Sequence, residues 1–316
     1  MFDIPAWLSA FKYFVSDVIS RCAVPGFFFM AAMFLYRKPF SWKENVRKKI
    51  KTLLIPYIII NSIWIGIYFC FQQIPSLSPY FSKPYNIVAN WDMMGWLKAY
   101  FFNARIIVVP TWFMRDLFVL NLLALFIVKI LDKFPKTSAI ILLLAWICVP
   151  TEPFYKNFHW ELQAVCFFCL GCLFVRQNLK LETFDKIPKF INLGIYIILL
   201  VADLLSREQP WNLFIHRFCA LYGIIFWYSC FTKFKAGSLK NFLLGFSTFS
   251  FSIYIFHENM LRVVQKIFAR IFPATPVFQL FLYVFVPMLI ILYCVTLSVF
   301  LKKYFPRAHA LITGSR

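Results

Sequence analysis

The chain has 316 residues, of which 61% are hydrophobic and only 15% charged, and its mean hydropathy is +0.72. A soluble globular domain carries about 25% charged residues, so the composition excludes an ordinary soluble protein and points to an all-α, polytopic integral membrane helix bundle. The net charge of +20 would suggest nucleic acid in a soluble protein. Here the Lys and Arg residues gather in short loops between apolar segments, which is the signature of membrane topology and of attraction to anionic membrane lipid, not of a nucleic-acid partner.

In chain order, residues 1–17 read as an interfacial lead-in, with Trp7, Phe11, Tyr13 and Phe14 of the kind that sit at headgroup level. The opening stretch "MFDIPAWLSAFKYFVSDVIS" has no basic start and is interrupted by Asp3 and Asp17, unlike a cleaved leader. Nine apolar segments follow, at about 18–36, 52–71, 112–131, 137–150, 160–175, 190–205, 211–231, 243–260 and 277–301. The loop 37–51, "RKPFSWKENVRKKIK", carries seven Lys or Arg and one Glu. The loop 72–111 is longer and poorer in charge, rich in aromatics and proline, and reads as an external cap. Further basic loops hold Lys129, Lys133 and Lys136, then Arg176, Lys180, Lys186 and Lys189, then Lys233, Lys235 and Lys240, while 261–276, with Arg262, Lys266 and Arg270, breaks the alternation mildly. The loop 151–160 has only Lys156 and, near its end, His159. Basic-rich loops stay on the cytoplasmic side, so the pattern predicts about nine spans in one domain covering 1–316. It places the N-terminus outside and 302–316 as a cytoplasmic tail, with His309 in it. One more helix ahead of residue 1 would put both ends inside.

Cys166, Cys169 and Cys172 have Cys-x-x-Cys-x-x-Cys spacing within "VCFFCLGCLFV". The stretch is a membrane helix without a fourth ligand nearby, so packing is expected and no metal. Ionisable residues inside spans are expensive, which makes each one a functional candidate. They are Arg21 at the mouth of the first span, Arg115 and Asp116 in "TWFMRDLFVLN", His216 and Arg217 in "WNLFIHRFCALYG", and His257 and Glu258 in "FSIYIFHENMLR". The predicted topology puts all seven at the outer third of the membrane. One outward-opening polar cavity is the reading favoured for Arg21 and Arg115, because lipid-facing arginine is costly, while His216 and Arg217 fit that cavity or snorkelling to the interface equally. A neutral His257 or His216 suits a general base.

The stretches "SRCAVPGFFFMAAMFLYRK", "IKTLLIPYIIIN", "PTWFMRDLFVLNLL", "FFCLGCLF" and "FSIYIFHENML" occur in the order seen in acyltransferase family 3, membrane proteins that this chain resembles from about residue 10 onward. The resemblance implies about ten spans in the bacterial inner membrane, with a cytoplasmic C-terminus. It implies transfer of an acyl group, acetyl in the usual case, from acetyl-CoA or another acyl-CoA to a hydroxyl of a surface glycan or lipid-linked saccharide. Carried over residue by residue, it gives Arg21, Arg115 and His257 catalytic roles. It also covers Trp112 and Tyr254, which become substrate-binding candidates, whereas Asp116, Glu258, His216 and Arg217 are substrate-binding candidates as ionisable residues within apolar segments, with no metal expected. Two departures stand out. The family's first helix, with an arginine and further along a histidine taken as the base, has no counterpart here, which implies either a start upstream of Met1 or an inactive copy. Ala31 and Ala32 stand where the family usually has Ser-Gly. A transporter or flippase for an anionic or lipid-linked substrate and a non-catalytic scaffold remain alternatives, separated by dependence on acyl-CoA.

Overall fold

The computed structural model describes residues 5–81, 87–102, 108–149, 161–232, 237–272 and 275–314. The loop 151–160 with His159, and Lys83, Arg105, Lys233 and Lys235, lie outside the described residues. Among the described residues the chain is helical throughout, with no strand. The helices are α1 (Ala6–Tyr36), α2 (Trp42–Gln72), α3 (Trp112–Leu122), α4 (Ala124–Lys133), α5 (Pro135–Cys148), α6 (Leu162–Arg176), α7 (Lys189–Ser206), α8 (Asn212–Thr232), α9 (Ser238–Ser247), α10 (Ser250–Ile271), α11 (Pro276–Tyr304) and α12 (Pro306–Thr313).

All nine apolar segments have helical counterparts. Five helices, α1, α2, α7, α8 and α11, are long and apolar enough to cross a membrane, and α9 with α10 makes a sixth if this pair, bent by 65°, is one span. α5 and α6 are apolar but shorter. The expected span at 112–131 is broken at Leu123, whose carbonyl starts the next helix by accepting from the N–H groups of Phe126 and Ile127. α1 is continuous through the expected lead-in. Its turns at Phe14–Ile19 are wide and those at Ser20–Cys22 tight, just ahead of Pro25. A wide turn at Ile50–Leu54 likewise precedes Pro56 in α2. Proline has no N–H for the preceding turn, and the helix absorbs the lost bond by local respacing. Large apolar side chains face outward, to the extreme of Phe190 at 90% exposed, as lipid-facing surface does.

Two compact units form, residues 1–42 with 122–240, and residues 43–121 with 241–316. The first contains α1 and α4 to α8. α6 packs on α1 so closely that a Cβ at Gly171 would lie 2.3 Å from the Phe29 carbonyl oxygen. Cys169, Cys172, Leu131 and Leu173 share an apolar cluster, so the cysteine run packs as small side chains. Arg176 clamps α6 to α4 through Asp132, with contacts of 2.8 and 2.6 Å. In the second unit α10 packs on α11 through Val286, Ile290 and Cys294. The tail folds back as α12. Its Gly314, at φ 66°, would bring a Cβ within 2.8 Å of the Thr52 backbone in α2. His309 is buried there, hydrogen-bonded to Ser298 at 3.1 Å, and Ser298 in turn meets Ser252 at 3.0 Å. Burial and nearby Lys302 hold His309 below the ordinary histidine range.

Candidate functional site

In the first unit, α8 begins with Asn212 and carries His216 and Arg217 a turn later. Asp203 of α7 is fully buried. Its Oδ2 lies 2.8 Å from His216 Nδ1. Its Oδ1 accepts from Tyr13 Oη at 2.9 Å and from Asn212 Nδ2 at 2.9 Å. A carboxylate only accepts, so His216 Nδ1 carries the proton and Nε2 presents its lone pair. His216 is 17% exposed, so that lone pair is within reach of a ligand. A buried carboxylate behind the imidazole fixes the ring and stabilises the imidazolium formed when Nε2 takes a proton.

Arg217 turns the other way. Its Nη1 donates to the Trp146 carbonyl, and its guanidinium carbon stands 5.1 Å from the Trp146 ring centroid. The side chain is 2% exposed and its Nη2 has no hydrogen-bond partner among the described residues. Arg21 acts on it as a second positive charge, and no carboxylate compensates it among the described residues. A buried, unpaired cation calls for an anion. Arg21 itself is exposed on α1. A cavity of about 1000 Å³ runs along α1 from Ile19 to Met30, walled by α5, α6 and α8. Its walls are apolar or aromatic, with polar atoms from Ser20, Lys136, Gln177 and Tyr228.

The second unit collects the other candidates. Arg115 and Asp116 form an ion pair, Nη2 to Oδ1 at 2.8 Å and Nε to the same oxygen at 2.9 Å, with exposures of 8% and 0%. Tyr57 of α2 is buried within electrostatic reach of both. Tyr254 of α10 donates to the Pro110 carbonyl and packs edge-on against Phe113 at 6.0 Å. Trp112 lies beside Phe113, centroids 6.3 Å apart, at the start of α3. His257 Nδ1 lies 2.9 and 3.0 Å from the carbonyl oxygens of Ile253 and Tyr254, so here too Nδ1 holds the proton and Nε2 is the basic atom. Glu258 bonds Arg262 through Oε1 and lies within reach of the Val109 backbone N–H, while among the described residues its buried Oε2 has no partner of good hydrogen-bond geometry. Asn259 is 4% exposed and neither atom of its amide is paired among the described residues.

The candidates are thus divided: Arg21, His216 and Arg217 in one unit, Arg115, Asp116, Trp112, Tyr254, His257 and Glu258 in the other. Sequence reading missed Tyr13, Asp203, Asn212 and Asn259. Asp203 carried a usable signal, because "LLVADLLS" places a carboxylate inside an apolar segment. Tyr13, Asn212 and Asn259 carried none, being uncharged residues whose burial and partners depend on distant helices.

A family model described as an acyltransferase domain, acyltransferase family 3, matches residues 1–300. No curated protein and no solved structure matches the chain. The family match over nearly the whole length agrees with the all-α membrane helix bundle: the chain belongs to acyltransferase family 3 and is a multi-pass membrane acyltransferase.

Proposed function

We propose that the protein transfers an acyl group, acetyl in the simplest case, from acyl-CoA to a hydroxyl of a surface carbohydrate or lipid-linked saccharide across the bacterial inner membrane, with its C-terminus cytoplasmic. The observation that carries this reading is the His216–Asp203 pair. Acyl transfer to a sugar needs a base for the hydroxyl and positive or donor groups for the tetrahedral oxyanion. His216 Nε2 takes the hydroxyl proton as the oxygen attacks the thioester carbonyl, and Asp203 supports the resulting imidazolium. The proton then passes to the departing CoA thiolate. Arg217, turned away from His216 toward Trp146 and with Nη2 unpartnered among the described residues, is a candidate to bind an anionic group of the donor or acceptor. The donor fits the same unit. The segments 129–136 and 176–189 hold seven Lys or Arg against three acids, a field that attracts CoA phosphates, and Lys136 lines the cavity beside them. The Ile19–Met30 wall extends about 16 Å at 1.5 Å per residue, from that basic end toward Arg21. In the second unit, His257 and Arg115 are retained as a second base and cation.

The test is transfer of labelled acetyl from acetyl-CoA by the purified full chain in lipid nanodiscs. His216→Gln is expected to lower kcat by about 10²- to 10⁴-fold, the range for removing a general base. Asp203→Asn is expected to shift the pH profile of the residual rate, because the asparagine no longer supports an imidazolium. An unchanged rate in His216→Gln with loss in His257→Gln moves the base to α10. Absence of any acyl-CoA dependence in the wild type removes the enzyme reading in favour of a transporter or scaffold.

A further inference from the structure

A second cavity, of about 580 Å³, lies in the other unit between the last turns of α2 and the segment that follows it. Its walls are built by local sequence. Asp92 caps the short helix Met93–Leu97 by accepting from Gly95 N–H at 2.6 Å. A Cβ at Gly95 would sit 3.1 Å from that oxygen and 3.2 Å from Trp91 Cβ, so the turn closes around the missing side chain. The outcome is that Trp91 and Trp96 stand at 86° to each other, centroids 5.4 Å apart. Val88 and Ile65 pack beneath with Trp91 and Tyr100 against them, and Tyr57 Oη donates to the Tyr100 carbonyl at 2.5 Å. The aromatic walls are therefore held from below. Ser62 Oγ donates to the Ile58 carbonyl at 2.8 Å and accepts from Tyr100 Oη at 2.6 Å, so both hydroxyl protons are engaged and the two oxygens keep acceptor capacity. Among the described residues neither the Trp91 nor the Trp96 indole N–H has a hydrogen-bond partner.

These groups select a ligand. The edge-to-face indoles offer aromatic surface to a ring with apolar C–H faces, while their N–H groups donate to, and the two hydroxyl oxygens accept from, polar groups at its edge. A purely hydrocarbon ligand leaves those donors unpaired, and an anion finds no Lys or Arg in the lining. The volume falls within the range of ordinary small-ligand pockets, about 300–1,000 Å³. We propose that this cavity is a saccharide subsite that holds one or two sugar rings of the acyl acceptor through Trp91, Trp96, Tyr100 and Ser62. The proposal deepens the glycan-acylation reading and rests on it for the word acceptor. The rival use of these aromatics is anchoring at the membrane interface.

The test is binding of methyl glycosides of glucose, galactose and N-acetylglucosamine, and of their disaccharides, to the full chain in nanodiscs. Tryptophan fluorescence and saturation-transfer NMR are the readouts. At least one sugar is expected to saturate. Trp96→Ala is expected to weaken it about two- to tenfold, the value of an aromatic stacking contact. Gly66→Phe is expected to abolish binding while folding normally, because a Cβ there meets nothing within 4 Å and the side chain grows into the cavity. No saturable sugar on the wild type, or wild-type binding by Gly66→Phe, overturns the proposal. So does a Trp96→Ala protein that inserts poorly yet binds sugar unchanged, which is the anchoring outcome. Sugar binding without acyl transfer keeps the subsite and sinks the enzyme reading. Transfer unchanged by Gly66→Phe keeps the enzyme and sinks the subsite.

Discussion

Arg115 and Asp116 are adjacent in sequence, yet their side chains turn back on each other in a buried pair. Removing one partner of such a pair leaves an uncompensated buried charge, which costs about 3–5 kcal/mol, whereas replacing both is often close to neutral. Arg115→Ala is therefore expected to lower the amount of folded protein recovered in detergent, and Arg115→Met with Asp116→Asn to restore it. Fluorescence-detected size exclusion measures this, and equal loss in single and double variants would assign Arg115 a partner beyond Asp116. Arg217 is the opposite case, a buried cation stacked on Trp146 with an open Nη2. Both arginines were visible in the sequence as ionisable residues in apolar surroundings. Their difference was not, because it depends on which neighbour each guanidinium meets. Asp203 makes the same point, since its partners Tyr13 and His216 come from α1 and α8.

Between elements, the absence of a side chain decides how near two helices come. Lipid offers no hydrophobic drive for helices to associate, so close backbone packing and dispersion contacts carry much of the association. At Gly171 an added methyl group would strike the Phe29 carbonyl, so Gly171→Ala is expected to pry α6 from α1 and destabilise by about 1–3 kcal/mol or more. At Gly194, in α7, a Cβ meets nothing within 4 Å. Gly194→Ala is expected to stabilise by about 0.5–1 kcal/mol through helix entropy alone. Thermal shift in detergent separates the two, and shifts of the same sign would contradict this packing account. Neither glycine is distinguishable in the sequence, where both stand inside apolar helical runs. The prolines were more legible: Pro25 and Pro56 follow irregular turns because each lacks an N–H wherever its helix is placed.

For the whole molecule, the charge asymmetry of the loops is the governing feature. If the positive-inside rule holds here, the basic loops share one side of the membrane. A fluorescent-protein fusion after residue 44 or 240 is expected to light up, and an alkaline phosphatase fusion after residue 208 to be active. The reverse pattern would invert the topology. Composition and hydropathy by themselves determined the all-α membrane class, the helical identity of the nine apolar segments and the candidate status of charged residues within them. These follow from the energetics of each residue against lipid, which need no knowledge of neighbours. The order of short stretches supplied the family resemblance. Tertiary structure alone decided that Asp203 stands behind His216 and that Trp91 and Trp96 face one cavity. The candidate residues belong to two compact units, Arg21, His216 and Arg217 to one and the rest to the other. A hydrogen bond or a cavity wall requires two side chains to meet, and residues 13, 203 and 216 meet only after three helices have packed.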